Sequence, residues 1–310
     1  MMLVIPNWKY TMFHYFYGLA KKVIALLMFM PMYVFSDPVM EVRFPVNIDN
    51  VTYQQRDVYF NQLIKLALEH SAKEYQLISM PVPTIPEERS MKLIQEGHYN
   101  IHWMSTTANR EKLLLPIYIP LDKGLIGWRL MLVHKDNKNI FSQVTSIQDF
   151  GKLTAGLGHH WADTSIFNEN ELSVFTATST QSLKKMLNLK RIDYFPRSIM
   201  EIWQEHSTSD SPLLAIDSHI TLTYPAAIYF FVSRDNPALH DRIKVGLELA
   251  IADGSFEKLF QQNFAEVIQL ANLNKRRRFH ITNSLITDLE YLNRSELWFS
   301  PSTIDVQHNQ

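Results

Sequence analysis

The sequence predicts an α/β protein of two lobes that interrupt one another, a hinged clamshell with two hinge strands. Three observations carry the prediction. Strand and helix patterns alternate through two separate stretches of the chain. An apolar extended segment, Gly127–Lys135, lies between those stretches, and a second, Ala226–Ser233, closes the later one. A long amphipathic helical pattern then returns the chain to where it began. Alternating strands and helices bury both faces of a parallel or mixed sheet, and a ligand cleft between two such lobes is the usual product of this layout.

The first alternation opens with Val39–Phe44, where β-branched and aromatic residues predict a strand. Asp57–Ser71 places Tyr59, Phe60, Leu63, Ile64, Ala67 and Leu68 at helical i, i+3, i+4 spacing. Tyr75–Met80 reads as a strand. Pro86–Glu96 reads as a helix whose first-turn acids Glu87 and Glu88 favour the dipole, with Gly97 as its stop. Tyr99–Met104 is the third strand. The second alternation begins at Thr145–Phe150, leading into the strand Leu153–Leu157 and a Gly158-His-His turn. Helix, strand and helix follow over Thr164–Asn170, Ser173–Ala177 and Thr180–Leu189. Strand Ile192–Phe195 and helix Ser198–His206 end it. After the second hinge stretch, Asn236–Phe264 predicts a helix with Pro237 at its start, broken at Gly254.

Composition bounds the chemistry. The 310 residues include no cysteine, which excludes disulfide scaffolds, Cys-type zinc sites, iron–sulfur centres and thiol nucleophiles. Thirty Lys and Arg oppose 31 Asp and Glu, against a nucleic-acid face as the main business. The balance is uneven: residues 1–36 hold Lys9, Lys21 and Lys22 and no acid, leaving 27 basic and 31 acidic residues in the remainder. The Lys21-Lys22 pair precedes an apolar run of about 13 residues, too short for the roughly 20 that span a bilayer. That pattern predicts an export signal over 1–36 cleaved after Ser36, with an uncleaved anchor as the other reading. The mature protein is then expected in the periplasm, folding without disulfides.

Four stretches in order resemble the family 3 extracytoplasmic solute-binding proteins of the amino-acid-binding type. Lys92–Ile101, KLIQEGHYNI, resembles the family's lead-in to its third strand, and Ser105–Ile117, STTANREKLLLPI, resembles its T-x-T-P-x-R motif. Ile147–Gly156, IQDFGKLTAG, and Ala252–Phe264, ADGSFEKLFQQNF, resemble the family's second-lobe entry and its closing helix. The resemblance covers roughly 40–264 and implies a type 2 periplasmic-binding-protein-like clamshell. The implied parts are lobe 1 over 37–130 and 232–264, lobe 2 over 131–231, and a C-terminal extension over 265–310.

It also implies a ligand site. Arg110 matches the family's carboxylate-gripping arginine, for which a guanidinium fork is the apt partner. Ser105 and Thr106 stand at the neighbouring hydroxyl positions. Two departures mark lobe 2: His159-His160-Trp161 replaces the family's Gly-Thr anchor, and Arg197 stands near the place of the acid that pairs with the ligand ammonium. Trp103 and Trp161 are expected as aromatic walls, although such residues are also ordinary core. Arg110 with Arg197 suits an anionic or dicarboxylate ligand; Arg197 as a structural ion-pair residue is the competing reading.

No metal site is expected, because adjacent histidines point apart, and Lys275–Arg278 reads chiefly as a solvated charge cluster. No nucleophile elbow, P-loop or His-Glu-x-x-His occurs, so an enzyme is not expected and no cofactor is implied. The expected function is capture of a small amino-acid-like or carboxylate solute by a monomer, serving an inner-membrane permease or a sensor. The alternative is a sensor-accessory or interaction protein that keeps the clamshell without binding a small solute.

Overall fold

A computed structural model describes residues 39–71, 74–207, 212–286 and 292–301; the expected export signal lies outside the described residues. The strands are β1 (Met40–Asn47), β2 (Tyr75–Val82), β3 (Ile101–Ser105), β4 (Leu115–Ile117), β5 (Trp128–His134), β6 (Ala155–Gly158), β7 (Val174–Ala177), β8 (Tyr194–Ser198), β9 (Leu214–Ile216), β10 (Ile220–Thr223), β11 (Ile228–Val232) and β12 (Arg277–His280). The helices are α1 (Val51–Glu69), α2 (Glu87–Gln95), α3 (Ala108–Leu113), α4 (Ile147–Gly151), α5 (Ala162–Glu169), α6 (Thr180–Asn188), α7 (Ile202–Ser207), α8 (Pro237–Ala252) and α9 (Ser255–Ala271).

Lobe 1 is built on β1 paired parallel with β2, and on β11 running antiparallel between β3 and β4. Asn100 joins the two pieces: its N–H donates to the Arg43 carbonyl, and its side-chain oxygen accepts from the Arg43 N–H at 2.8 Å. Helices α1, α8 and α9 cover this lobe. Asn50 caps α1 by accepting from the Tyr53 N–H, so the helix starts six residues before the apolar periodicity does. Tyr59, Phe60, Leu63, Ile64, Ala67 and Leu68 are all buried on it, as their spacing predicts. Each fully buried large side chain of this kind is worth about 1.5–3 kcal/mol. Helix α8 packs so closely on α1 that a Cβ on Gly246 would stand 1.9 Å from the Ala67 carbonyl oxygen.

Lobe 2 is one seven-stranded sheet in the order β12-β10-β5-β8-β6-β7, with β9 also on β5. Its apolar face gathers Phe141, Phe150, Tyr194, Leu157 and Phe167. The chain passes between lobes through residues 118–127 and 224–227. At that point the Tyr224 N–H donates to the Gly127 carbonyl, and a Cβ on Gly127 would lie 2.1 Å from the Tyr224 carbonyl oxygen. Strand β5 lies wholly in the seven-stranded second sheet, that of lobe 2, and β11 wholly in the three-stranded sheet of lobe 1. The extended stretches expected as hinges are therefore sheet strands, and the turns just before them make the crossings. The expected boundary between Phe231 and Val232 falls inside β11, which belongs to lobe 1 from Ile228 onward.

The C-terminal extension is not separate. Helix α9 runs to Ala271, and β12 adds a parallel edge strand beside β10, pairing Ile220 with Arg277 through Thr223 with His280. The basic run is engaged here rather than simply solvated. Arg276 donates to the carbonyls of Ala271 at 2.6 Å and Asp217 at 2.5 Å, Arg277 donates to the Val144 carbonyl, and Arg278 lies over the Trp128 ring. No helix among the described residues is long and apolar enough to cross a membrane.

Candidate functional site

In lobe 1, β3 ends at Ser105 and Thr107 caps α3 by accepting from the Arg110 N–H at 3.3 Å. The cap places Arg110 in the first turn of a six-residue helix, with its side chain folded back under the strand end. Its guanidinium donates to the Ser105 carbonyl at 2.5 Å and pairs with Glu87 at 2.7 Å and Glu88 at 3.1 Å. Both acids stand in the first turn of α2, and their side chains are 38% and 51% exposed. The buried Nε of Arg110 has no partner among the described residues. Ser105 holds Arg110 through its backbone carbonyl, and its own N–H reaches Glu87. Thr106 is buried with its hydroxyl donating to Glu111 at 2.5 Å and its N–H on the Ala227 carbonyl of the second crossing. Trp103 is buried, stacked on Phe60 with its indole N–H on Asp57 at 3.2 Å, so it is core.

In lobe 2, Arg197 on β8 is held by buried acids. Glu205 of α7 takes its Nε at 2.8 Å and its Nη2 at 2.5 Å, and Glu201 stands 2.9 Å away. Those side chains are only 7% and 6% exposed. The guanidinium also lies 5.0 Å from the ring centre of Trp161 and 5.1 Å from that of Phe195. Trp161 precedes α5 and stacks on Phe195. Arg197 and Trp161 are thus brought together, as are Arg110 and Ser105. His159 is exposed, 3.3 Å from the Thr176 hydroxyl and edge-on to His160. Among the described residues no group of three or more His, Asp or Glu could hold a metal ion.

Sequence reasoning missed the residues that join the two walls. Arg56 on α1 lies over the Tyr53 ring at 4.7 Å and reaches Glu201 of lobe 2 at 3.5 Å. Arg56 stands one residue before the helix as its periodicity reads, so it was hidden in an apparent loop. Glu201 sat inside what read as a helix and lies just before α7 instead. Glu87 and Glu88 read only as dipole acids. A second polar knot sits at the crossing, where Arg129 pairs with Asp163 at 2.5 Å and donates to the Tyr224 hydroxyl at 2.7 Å, which in turn donates to Asp163.

Electrostatics follow from this crowding. Burial works against the charges of Arg197 and Glu201, yet each is held charged. Glu201 and Glu205 push Arg197 up, and Arg197 with Arg56 holds Glu201 below the usual carboxylate range. His102, beside Trp103 on β3, is pushed down to about 3 by burial and by the Arg56 and Arg110 cations. Arg110 and Arg56 therefore act on the same small region behind the first-lobe wall.

No protein-family model and no curated protein sequence matches the chain. Solved structures do. A probable amino-acid ABC transporter extracellular-binding protein, ytmK of Bacillus subtilis, aligns with TM-score 0.54 at 14% identity, covering 74% of this chain and 99% of its own. The VFT2 domain of Bordetella pertussis BvgS aligns with TM-score 0.53 at 15% identity, over 72% of this chain and 93% of its own. The fold is that of the family 3 solute-binding proteins. A Salmonella typhimurium periplasmic binding protein of high arginine specificity aligns with TM-score 0.50 at 12% identity, over 73% and 100%. The family 3 fold thus accounts for about three quarters of this chain, with residues to spare beyond it.

Proposed function

We propose that this chain is a periplasmic solute-binding protein that captures a small amino-acid-like or carboxylate solute between its lobes, for transport or sensing. The observation that carries the reading is Arg110: a buried guanidinium at a helix start whose Nε has no partner among the described residues and whose anionic partners among them are the part-exposed Glu87 and Glu88. A solute carboxylate can replace Glu87 and Glu88 there, because those acids gain hydration when they leave. Arg197 is assigned to structure rather than to the solute, since both of its acids are buried and would be stranded. A single carboxylate is therefore favoured over a dicarboxylate. Glu201 and Arg56, facing each other across the seam, would part to admit the rest of the solute. Capture for an inner-membrane permease or a sensor is supported by the similar structures, of which ytmK is described as a probable amino-acid ABC transporter extracellular-binding protein and the arginine-specific protein as a periplasmic binding protein.

The second reading, an interaction or sensor-accessory protein that binds no small solute, is favoured by the Arg56–Glu201 pair, which already joins the walls. A thermal-shift screen of amino acids, monocarboxylates and dicarboxylates separates the two. Binding to the folded state alone raises apparent stability by RT ln(1+[L]/Kd), about 2.7 kcal/mol at a hundredfold excess over Kd. Stabilisation by a monocarboxylate or amino acid that Arg110→Ala abolishes supports capture; no stabilisation by any of them supports the second reading.

A further inference from the structure

We propose that the C-terminal extension is a strap that limits how far the lobes open. The inference rests on the clamshell reading, and its test separates the two. After α9 the chain leaves lobe 1, and β12 joins the second sheet in four-residue register with β10. Ile281 then continues along that lobe, its N–H donating to the Thr223 carbonyl, while Thr282 and Ser284 bond to Asn170 and Glu169 at the end of α5.

The strap crosses the hinge over very little chain. Asn283 donates to the Pro225 carbonyl, inside the second crossing, at 2.7 Å. Leu285 packs against the apolar cluster of lobe 2, and its neighbour Ile286 is buried in a different cluster with Met91, Ile94, Tyr99, Met104 and Phe231, all of lobe 1. Consecutive Cα atoms stand 3.8 Å apart, so two adjacent residues anchored in separate lobes leave almost no slack. From Arg294 to Phe299 the extension contacts lobe 1 and the first crossing. Arg294 grips Glu248 of α8 with both terminal nitrogens, at 2.7 and 2.9 Å. Leu297 is fully buried, the Phe299 N–H donates to the Lys123 carbonyl at 2.7 Å, and Trp298 covers Gly124. Swinging lobe 2 away from lobe 1 must pull either Leu285 or Ile286 out of its cluster.

The chain lacks cysteine, so Lys92→Cys on α2 and Gln181→Cys on α6 give the only two label sites, one in each lobe and both exposed. Electron–electron distance measurement on the doubly labelled full chain reads lobe separation directly. The expected result is a narrow distribution in the parent, a broadened one reaching longer distances in Ile286→Ala and in Asn283→Ala, and the narrow one again in Ile286→Val. Ile286→Ala that melts earlier yet keeps the parent distribution overturns the strap and leaves Ile286 a core residue only. A broad parent distribution unchanged by either substitution also overturns it. Solute binding is scored separately in the thermal screen: broadening with no solute found leaves the strap standing and sinks capture, while binding without broadening does the reverse.

Discussion

The two lobes hold the same chemistry in opposite ways. Arg110 of lobe 1 and Arg197 of lobe 2 are both buried guanidiniums with two carboxylates each. Glu87 and Glu88 face water for over a third of their surface, whereas Glu201 and Glu205 are almost wholly enclosed. Glu87 and Glu88 can regain water when they leave Arg110, whereas Glu201 and Glu205 cannot; removing one partner of a fully buried pair costs about 3–5 kcal/mol. On the proposed reading, the first arginine would exchange its partner for a solute. The second is fixed, and its nearness to a ligand position in sequence says nothing about its availability.

The largest effect that would break this comparison is on lobe 2. Glu205→Gln leaves Arg197 with one acid in a buried site and should lower unfolding free energy by about 3–5 kcal/mol in a denaturant titration. A loss under about 1 kcal/mol would mean that Arg197 is as loosely held as Arg110. Next is Arg110→Ala, expected to weaken binding of any monocarboxylate found by about 10- to 100-fold, the 1.5–3 kcal/mol of a charge-assisted hydrogen bond. Isothermal calorimetry reads it directly, and an equal loss in Arg197→Lys would erase the distinction between the walls.

A titration sharpens the comparison from behind. His102 has a folded pKa near 3, below its ordinary 6.5. Its contribution to stability is therefore complete above about pH 6.5 and is lost as pH falls through the window down to about 3, at no more than about 1.4 kcal/mol per pH unit. His102→Gln should flatten that limb of the stability curve. Removing the Arg110 cation should raise the His102 titration midpoint followed by NMR, and an unmoved midpoint would place Arg110 away from this region. The smallest effect belongs to the first-wall acids. Glu87→Gln removes a competitor for Arg110 and should tighten monocarboxylate binding by a few-fold, an amount that shrinks at high salt.

Much of the fold was legible because its signals are local. The helical face from Tyr59 to Leu68, the acid-led start of α2 and the break at Gly254 all follow from spacing and caps, and they stand where the pattern puts them. The crossings were misplaced because β5 and β11 are apolar and extended whether they bridge lobes or lie inside a sheet. The long-range pairings of β5 with β8 and of β11 with β3, and the contact of Gly127 with Tyr224, tell the two apart. Strand β12 was hidden in a basic run, since Arg277 and Arg278 sit on an edge where charged side chains are tolerated. The site was half legible. Arg110 and Ser105 are five residues apart in one motif and meet in space. Arg56 and Glu201 are 145 positions apart, and no sequence spacing could have paired them.

Calorimetric titration of the protein with the monocarboxylate or amino acid that stabilises it most, repeated on Arg110→Ala and on Glu87→Gln, tests the central claim most directly. The account predicts binding that Arg110→Ala weakens at least tenfold and Glu87→Gln strengthens. Undiminished binding in Arg110→Ala would contradict it.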